Sequence, residues 1–208
     1  MTVVCTFRHK ESEKSPIGVL ALRDLIKEAK FSLGVIKSVT RDGKVGAMLA
    51  SHMGINKLFF TGFVFTGDKV NLKRVLLELG GKVPPLIFAD ADLNNVLQHS
   101  SQNFLCNTGQ ACIATSRTFV QGDITLKFIE ELKKRNEQLS HATGDSADAN
   151  TFLMPIVGSK QFDRAICFLD IGKQEAELVT GGLLHGEKGF YVKPAHLSQP
   201  EGRCAHLP

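Results

Sequence analysis

The sequence lacks the features that mark several classes of protein. No apolar run reaches the roughly 18 residues that a membrane-spanning helix needs, so no membrane span is expected. Lysine and arginine are spread along the chain and the net charge is only +4, so we expect no nucleic-acid or membrane-surface partner. The N-terminus, MTVVCTFRHKESEK, has no apolar core of a secretory signal, and we expect a cytoplasmic protein.

Cysteines in metal-site spacing are also absent. The chain has five cysteines and no CxxC pair. An odd, scattered set without a secretory signal predicts reduced thiols, and no metal ion is expected. The five are Cys5, Cys106, Cys112, Cys167 and Cys204.

The hydrophobic pattern that is present alternates between helix-like and strand-like periods, which predicts an α/β fold with parallel sheet. Ser15 and Pro16 predict a helix start, with the Ser15 hydroxyl as the cap. Predicted helices cover about residues 16–30, 44–53, 93–105 (capped by Asp90 or Asp92), 123–138 (capped near Asp123) and 159–175 (burying Phe162, Ile166, Cys167, Leu169 and Ile171). Predicted strands cover residues 34–39, 57–61, 73–79, 85–90, 117–121, 177–182 and 190–195, of which 57–61 is typical of a buried parallel strand.

One cysteine lies among small residues in the stretch LCNTGQACIA, residues 105–114. Gly109 and Ala111 would let a substrate carbon come within bonding distance of the Cys112 sulfur. A thiol in such a place can act as a nucleophile once it is a thiolate. The alternative is a buried packing cysteine.

A carboxylate that could serve this nucleophile is found about thirty residues upstream. Glu78 ends a predicted strand just before Gly80 and Gly81, where a sharp turn could present its side chain to a cavity. A nucleophile and a carboxylate base are the minimum for covalent catalysis with a hydrolytic second step. The alternative is a solvated surface glutamate.

Four segments in this order, LELGGK, IFADADL, NTGQACIATSR and TFVQ, resemble the aldehyde dehydrogenase superfamily, and the likeness runs over about residues 10–194. The resemblance implies part of a Rossmann-like cofactor domain at residues 1–79. It further implies part of the catalytic α/β domain, with the cysteine nucleophile, at residues 80–208. Cys106 stands at a position that is usually aromatic in the family, which implies a packing role.

The activity implied by the resemblance is oxidation of a small-molecule aldehyde to a carboxylic acid with NAD, or with NADP as the alternative. Cys112 would attack the aldehyde carbon to give a thiohemiacetal, and hydride transfer to the nicotinamide would leave a thioester. Glu78 would activate the water that releases the acid. In the family the oxyanion is held partly by the backbone amide of the cysteine itself.

Two pairs of residues are implied to contact the sugars of the cofactor. The segment KESEKSP, residues 10–16, matches the family segment whose lysine and glutamate contact the adenosine ribose, here Lys10 and Glu13. A glutamate there favours NAD over NADP by repelling a phosphate. Gln161 and Arg164 fall where the family contacts the nicotinamide ribose. The alternatives are a charged solvated loop for the first pair and a plain helix face for the second.

The remaining cofactor residues follow from FFTGFVFTG, residues 59–67, and from LELGGK. Thr61, Gly62 and Gly67 match the segment that meets the pyrophosphate, where backbone amides at a helix N-terminus bind phosphate. Leu79 and Gly80 adjoin the nicotinamide in the family.

Departures from the family pattern lead to further expectations. Residues 63–73, eleven in all, lie between Gly62 and Arg74, near which the next predicted strand starts. A crossover between parallel strands needs roughly 10–12 residues or more, including its helix. The family places a full phosphate-facing helix in this stretch, so the resemblance implies that about ten residues are deleted here. Phe63 also stands where a small hydroxyl residue faces the pyrophosphate. We therefore expect weaker NAD binding than the family norm.

The chain is also short for the family. We expect it to lack an N-terminal asparagine that helps to hold the oxyanion, a donor worth about 10²–10³ in rate. A C-terminal glutamate that holds the nicotinamide ribose and the dimer segments are expected to be absent as well. Uncovered sheet edges predict poor solubility or dependence on a partner chain.

Three hypotheses follow. The first is an aldehyde dehydrogenase that uses Cys112 and Glu78. The second is an inactive remnant that acts, if at all, as a binding partner of a full-length relative. The third is a thiol esterase that works without nicotinamide.

Overall fold

The computed structural model of this chain describes residues 5–62 and 73–198. Gly67, Phe63 and Cys204, and with them the expected deletion, lie outside the described residues. The chain divides into two compact units, Met1–Gly80 and Gly81–Pro208.

The described residues combine helices with three parallel strand pairs, which confirms the α/β class. The helices are α1 Ile17–Glu28, α2 Gly43–Ser51, α3 Leu93–Leu105, α4 Thr125–Ser140 and α5 Ser159–Glu175. The strands are β1 Phe7–Glu11, β2 Ile36–Thr40, β3 Lys57–Gly62, β4 Arg74–Leu79, β5 Leu86–Ile87, β6 Phe119–Val120, β7 Glu177–Thr180 and β8 His196–Ser198. Short 3₁₀ turns cover Cys106–Gly109 and Gly122–Ile124.

The first unit is built on two parallel strand pairs, β1 with β2 and β3 with β4. Strand β1 was not among the predicted strands, because its sequence FRHKE shows no apolar alternation. It forms through its ladder with β2, in which Lys10 is level with Val39. Lys10 therefore lies on a strand and not in the solvated loop of the alternative interpretation, whereas Glu13 lies in an exposed turn after β1.

Two details of the first unit differ from the predictions. The Ser15 hydroxyl does not cap α1: Pro16 already has a helical conformation (φ −80°, ψ −25°) and takes the cap position itself, without a side-chain hydrogen bond. Strand β3 is not buried either, because Phe59 is 58% exposed. Its neighbour β4 exposes Leu76 to 45%, since β3 and β4 pair only with each other among the described residues.

The core of the second unit lies between β5, α3 and α4. Its buried members are Ile87, Leu97, Phe128 and Leu132. The strands β5 and β6 are parallel neighbours, and the Gln121 amide next to β6 donates to the Ile87 carbonyl. These contacts position α3, the helix that leads into the cysteine segment.

Helix caps in the second unit bear out one prediction and correct another. Asp92 caps α3, because its carboxylate accepts hydrogen bonds from the amides of Asn94 (3.0 Å) and Asn95 (3.3 Å). Asp123 does not cap α4. It lies in a 3₁₀ turn before the helix and accepts a hydrogen bond from the Gln121 side chain (3.4 Å) instead.

Helix α5 has the predicted bounds, but its buried face is narrower than predicted. Leu169 is buried, whereas Cys167 and Ile171 are exposed. Each of the two is two residues from Leu169, about 200° around the helix, and so faces away from the core. Cys106 is also exposed, so the packing role expected for it is wrong.

The last sheet, β7 with β8, is antiparallel. The strand predicted at residues 190–195 is wrong: Val192 makes only an isolated bridge to Leu184, and the ladder begins at His196. Gly181 has a φ of +75°, and a Cβ there would collide with the Pro194 carbonyl oxygen. Only glycine fits this turn.

Among the described residues, no helix has both the length and the apolar character to cross a membrane. No group of three or more His, Cys, Asp or Glu side chains in those residues is arranged to hold a metal ion.

Candidate active site

The segment that carries Cys112 begins with a sharp reversal of the chain at the end of α3. Leu105 anchors the helix end at 3% exposure. The 3₁₀ turn Cys106–Gly109 follows, in which Asn107 (φ 51°), Thr108 (φ 57°) and Gly109 (φ 72°) are all left-handed. Side chains with a Cβ rarely adopt this conformation, at a cost of about 1–3 kcal/mol each, so the surroundings must hold them in place.

Cys112 lies in the turn that follows. The amide of Ala114 donates to the carbonyl of Ala111 (3.1 Å), which places Cys112 and Ile113 at the centre of the turn. Ala114 is only 1% exposed and fixes the turn to the interior. The Cys112 thiol is free and exposed, so the packing alternative for this residue is wrong.

Thr108 ties the cysteine segment to residues far along the chain. Its hydroxyl donates to the carbonyl of Met154 (2.9 Å) and accepts from the amide of the same residue (3.0 Å). This reciprocal pair acts like one rung of a strand ladder and stabilises the left-handed backbone of Thr108.

Gln110 makes a second connection to the same distant segment. Its side-chain oxygen accepts from the amide of Val157 (2.9 Å), and its side-chain nitrogen donates to the carbonyl of Asn107 (3.1 Å). The side chains of Thr108 and Gln110, both before the Ala111–Ala114 turn, are therefore fixed.

Lys82 makes the third connection. Its ammonium nitrogen Nζ lies 2.8 Å from the carbonyl oxygen of Ala111, the residue immediately before Cys112. The cysteine turn is thus held from both sides, by Lys82 and by residues 154–157.

Glu78 is placed by the parallel pair of the first unit. It is exposed on β4, level with Thr61 on β3, and Leu79 is level with Gly62. The structure thus brings these four predicted residues together at the carboxyl end of one strand pair. Glu78 belongs to the first unit and Cys112 to the second, so their meeting in one cavity stays a prediction.

A cleft of about 670 Å³ in the first unit lies beside the predicted ribose-binding pair. Glu13 lines it, and the Lys10 ammonium lies 3.8 Å from the Glu13 carboxylate. The Lys10 stem passes Gly46 of α2, where a Cβ would be 3.9 Å from it. The other lining residues are Pro16, Thr40, Arg41, Asp42, Lys44 and Val45.

The predicted nicotinamide-ribose residues share one face of α5. Gln161 and Arg164 are exposed and three residues apart, and the Arg164 guanidinium lies over the Phe168 ring at 5.5 Å from its centroid. Gly80, the last predicted cofactor residue, is exposed after β4. The roles of these three residues stay predictions.

Among residues 5–62 and 73–198, two groups outside the predicted site have shifted pKa values. Burial lowers the pKa of His196, and its Nδ1 has no hydrogen-bond partner within the described part of the chain. Hydrogen bonds to the carboxylates of Glu131 and Glu130 raise the pKa of Lys134, an exposed group on α4.

Sequence reasoning missed the residues that hold the site in place. Thr108 and Gln110 lie within the stretch LCNTGQACIA and Lys82 within LELGGK, but nothing in these stretches assigns any of the three a role. Their partners lie 46, 47 and 29 residues away, and no local pattern indicates them. The Asp42 cap of α2, directly after β2, is a local signal that could have indicated the cleft.

Comparisons with known sequences give a consistent match. A sequence model of the aldehyde dehydrogenase family matches residues 1–205. An aldehyde dehydrogenase of Davidiella tassiana is 40% identical over 198 residues, covering 91% of this chain and 40% of that protein. Retinaldehyde dehydrogenase 3 of Homo sapiens is 40% identical over 203 residues, covering 91% of this chain and 38% of that protein.

Solved structures are also similar to this chain. PnpE from Pseudomonas sp. WBC-3 superposes with a TM-score of 0.88 at 33% identity, covering 95% of this chain and 43% of that one. PnpE in complex with nicotinamide adenine dinucleotide gives a TM-score of 0.87 at 33% identity, with 92% and 42% covered. The chain spans about 40% of the length of the relatives that it matches.

Proposed function

The chain belongs to the aldehyde dehydrogenase family, and on that premise we propose that it oxidises a small-molecule aldehyde to a carboxylic acid with NAD. Cys112 is the proposed nucleophile and Glu78 the proposed base. One observation carries the proposal. An exposed, free thiol lies on a turn that three separate side chains hold in place.

The cleft of the first unit fits the adenosine half of NAD. Its volume of about 670 Å³ is within the range of roughly 300–1,000 Å³ typical of ligand sites. Lys10 and Glu13 offer a donor and an acceptor to the ribose hydroxyls. Glu13 would repel a phosphate on that ribose, and Arg41 and Lys44 in the same cleft offset part of the repulsion. We therefore propose a preference for NAD rather than exclusion of NADP.

Other residues are proposed to complete the cofactor site. Thr61 and Gly62 end β3 beside Leu79 on β4, an arrangement that supports a role near the pyrophosphate and nicotinamide. Gly67 would extend the pyrophosphate contact, and Gly80 the nicotinamide contact. Gln161 and Arg164 are proposed for the second ribose.

The chemistry then depends on two side chains. The Cys112 thiolate attacks the aldehyde carbon: a carbon–sulfur bond forms, and the carbonyl π electrons move to oxygen. Bound NAD would supply the acceptor for the hydride that this carbon loses. Cys112 now carries the acyl group as a thioester. Glu78 takes a proton from water, the water oxygen attacks the thioester carbon, and the acid leaves as the sulfur departs as thiolate.

We further propose that the protein works in the cytoplasm. The four cysteines in the described residues are free thiols, which supports a reducing compartment. Association with a full-length relative remains the proposal for a partner, and exposed apolar residues on β4, such as Leu76 and Leu77, support it.

Aldehyde-dependent formation of NADH by the full chain tests the proposal. Activity in the parent chain that is lost in Cys112→Ala and kept in Cys106→Ala is the expected result. Cys106 is a matched control, because it is an exposed thiol six residues from Cys112 in the same segment. No activity in the parent, or equal activity in Cys112→Ala, would contradict the proposal.

A further inference from the structure

We propose that Lys82 is a positioning residue, which sets the direction and strength of the Cys112 backbone amide as a donor to the oxyanion. The inference rests on the proposed function, in which an oxyanion forms next to the Cys112 sulfur. It adds to that function a residue whose side chain acts through a neighbouring peptide bond.

The carbonyl of Ala111 is held at two points. The Lys82 ammonium nitrogen lies 2.8 Å from its oxygen, and the Ala114 amide nitrogen lies 3.1 Å from the same oxygen. A carbonyl oxygen has two lone pairs, so these donors use its full capacity. The orientation of this carbonyl is therefore fixed.

Fixing this carbonyl also fixes the amide of Cys112, because both belong to one planar peptide group. In a trans peptide the C=O and N–H bonds point in opposite directions. The Cys112 N–H therefore points away from Lys82. Among the described residues no acceptor is bound to this N–H, which leaves it available to an oxygen formed beside the sulfur.

Lys82 also changes how strongly this N–H donates. A cation bound to a carbonyl oxygen draws electron density from the peptide group, and connected hydrogen bonds strengthen one another. When the sulfur attacks an aldehyde, the carbon–sulfur bond forms and the carbonyl π electrons move to oxygen. That oxygen then takes a proton from water. A stronger N–H donor stabilises the charge on the oxygen before protonation.

The stability of the fold depends little on this contact, since the Lys82–Ala111 hydrogen bond is exposed. Exposed charged contacts contribute little to folding. A variant that loses the ammonium should therefore keep its fold and lose oxyanion stabilisation, which separates a positioning role from a structural one.

Protection of Cys112 by an aldehyde measures this stabilisation without NAD. We would alkylate the chain with iodoacetamide over a range of benzaldehyde concentrations and follow Cys112 by peptide mass spectrometry. Cys106 and Cys112 share one tryptic peptide, because no lysine or arginine separates Val83 from Ser116. A Cys106→Ser background therefore isolates the Cys112 signal.

The variants are Lys82→Met, which loses the charge, Lys82→Arg, which keeps it, and Lys127→Met as the matched control. Lys127 is exposed in the same unit, and its side chain has no hydrogen-bond or ion-pair partner among the described residues. Losing one oxyanion donor typically lowers the rate by a factor of about 10²–10³. Because Lys82→Met only weakens a donor, we expect about ten times more benzaldehyde to be needed for half protection of Cys112. Lys82→Arg and Lys127→Met should stay within about threefold of the parent.

Each possible result either supports the positioning role of Lys82 or overturns it. Weaker protection in Lys82→Met alone, with an unchanged cooperative melt, is the expected result. Equal protection in Lys82→Met and parent overturns the role of Lys82 and leaves the proposed function intact. A Lys82→Met chain without a cooperative melt assigns Lys82 to folding and also overturns the inference. No protection in the parent overturns the proposed function, and the inference falls with it.

Discussion

Replacing Thr108 by valine removes two hydrogen bonds from the cysteine segment without changing the shape of the side chain. The hydroxyl donates to the Met154 carbonyl (2.9 Å) and accepts from the Met154 amide (3.0 Å), in a partly buried contact. Each such bond contributes a net free energy of about 1 kcal/mol. Valine has the same branched Cβ, so the strain of the left-handed backbone is unchanged. The expected loss in the free energy of unfolding is about 2 kcal/mol.

The loss should be visible by heat and by urea. For a unit of roughly this size a change of 1 kcal/mol shifts the melting temperature by about 3–5 °C, so Thr108→Val should melt about 6–10 °C lower. Urea unfolding followed by circular dichroism gives the free energy from the midpoint and the slope. Thr108→Ser keeps the hydroxyl and is the control, expected within about 1 kcal/mol of the parent.

Two results would refute this reasoning. One is a Thr108→Val variant that unfolds within about 0.5 kcal/mol of the parent, the scatter of ordinary surface substitutions. The other is a Thr108→Ser variant that loses as much stability as the valine variant, since the effect would then not come from the hydroxyl.

Three further predictions concern the second unit. Burial lowers the pKa of His196 below its ordinary value of 6.5, so the unfolded chain binds more protons as the pH falls through that value. The free energy of unfolding should therefore decrease as the pH is lowered beneath about 6.5, by at most about 1.4 kcal/mol per pH unit. The pH dependence of the urea midpoint should be smaller in His196→Gln than in the parent chain. Gly186→Ala should lower the free energy of unfolding by about 1–2 kcal/mol, because the alanine must adopt a left-handed backbone. Gly181 has a similar φ, but its Cβ position is blocked, so Gly181→Ala should lower the free energy of unfolding by about 1–3 kcal/mol more in the same assay. Asp92→Ala should lower the free energy of unfolding by about 1 kcal/mol, because α3 loses its cap. Asp123 caps no helix, so Asp123→Ala should lower it by less than about 0.5 kcal/mol.

Those parts of the fold that depend on local sequence could be predicted. Helix α3 has its cap at Asp92 and an apolar spacing that ends at Leu105, and both its bounds were predicted. Strand β1 could not be predicted, because FRHKE is charged and becomes a strand only through its ladder with β2. The strands predicted at 85–90 and 117–121 shrink to two residues each, since pairing and not propensity sets their length.

The residues of the candidate site could likewise be predicted only in part. The motif located Cys112 and Glu78, and the register of β3 and β4 places Glu78 beside Thr61 as a consequence of parallel pairing. The three side chains that hold the cysteine turn could not be located, because each contact closes a loop of 29 to 47 residues. Periodicity and propensity describe neighbours in sequence and carry no information about such contacts.

Mass spectrometry of the chain during hydrolysis of p-nitrophenyl acetate tests the central claim most directly, because it reports on Cys112 and Glu78 without NAD. The ester acetylates the sulfur and releases nitrophenol, and water must then remove the acetyl group. The account predicts that Glu78→Gln accumulates one acetyl group on Cys112, after a burst of nitrophenol, while the parent chain turns over. Equal turnover in the parent and in Glu78→Gln, or acetylation elsewhere than at Cys112, would contradict it.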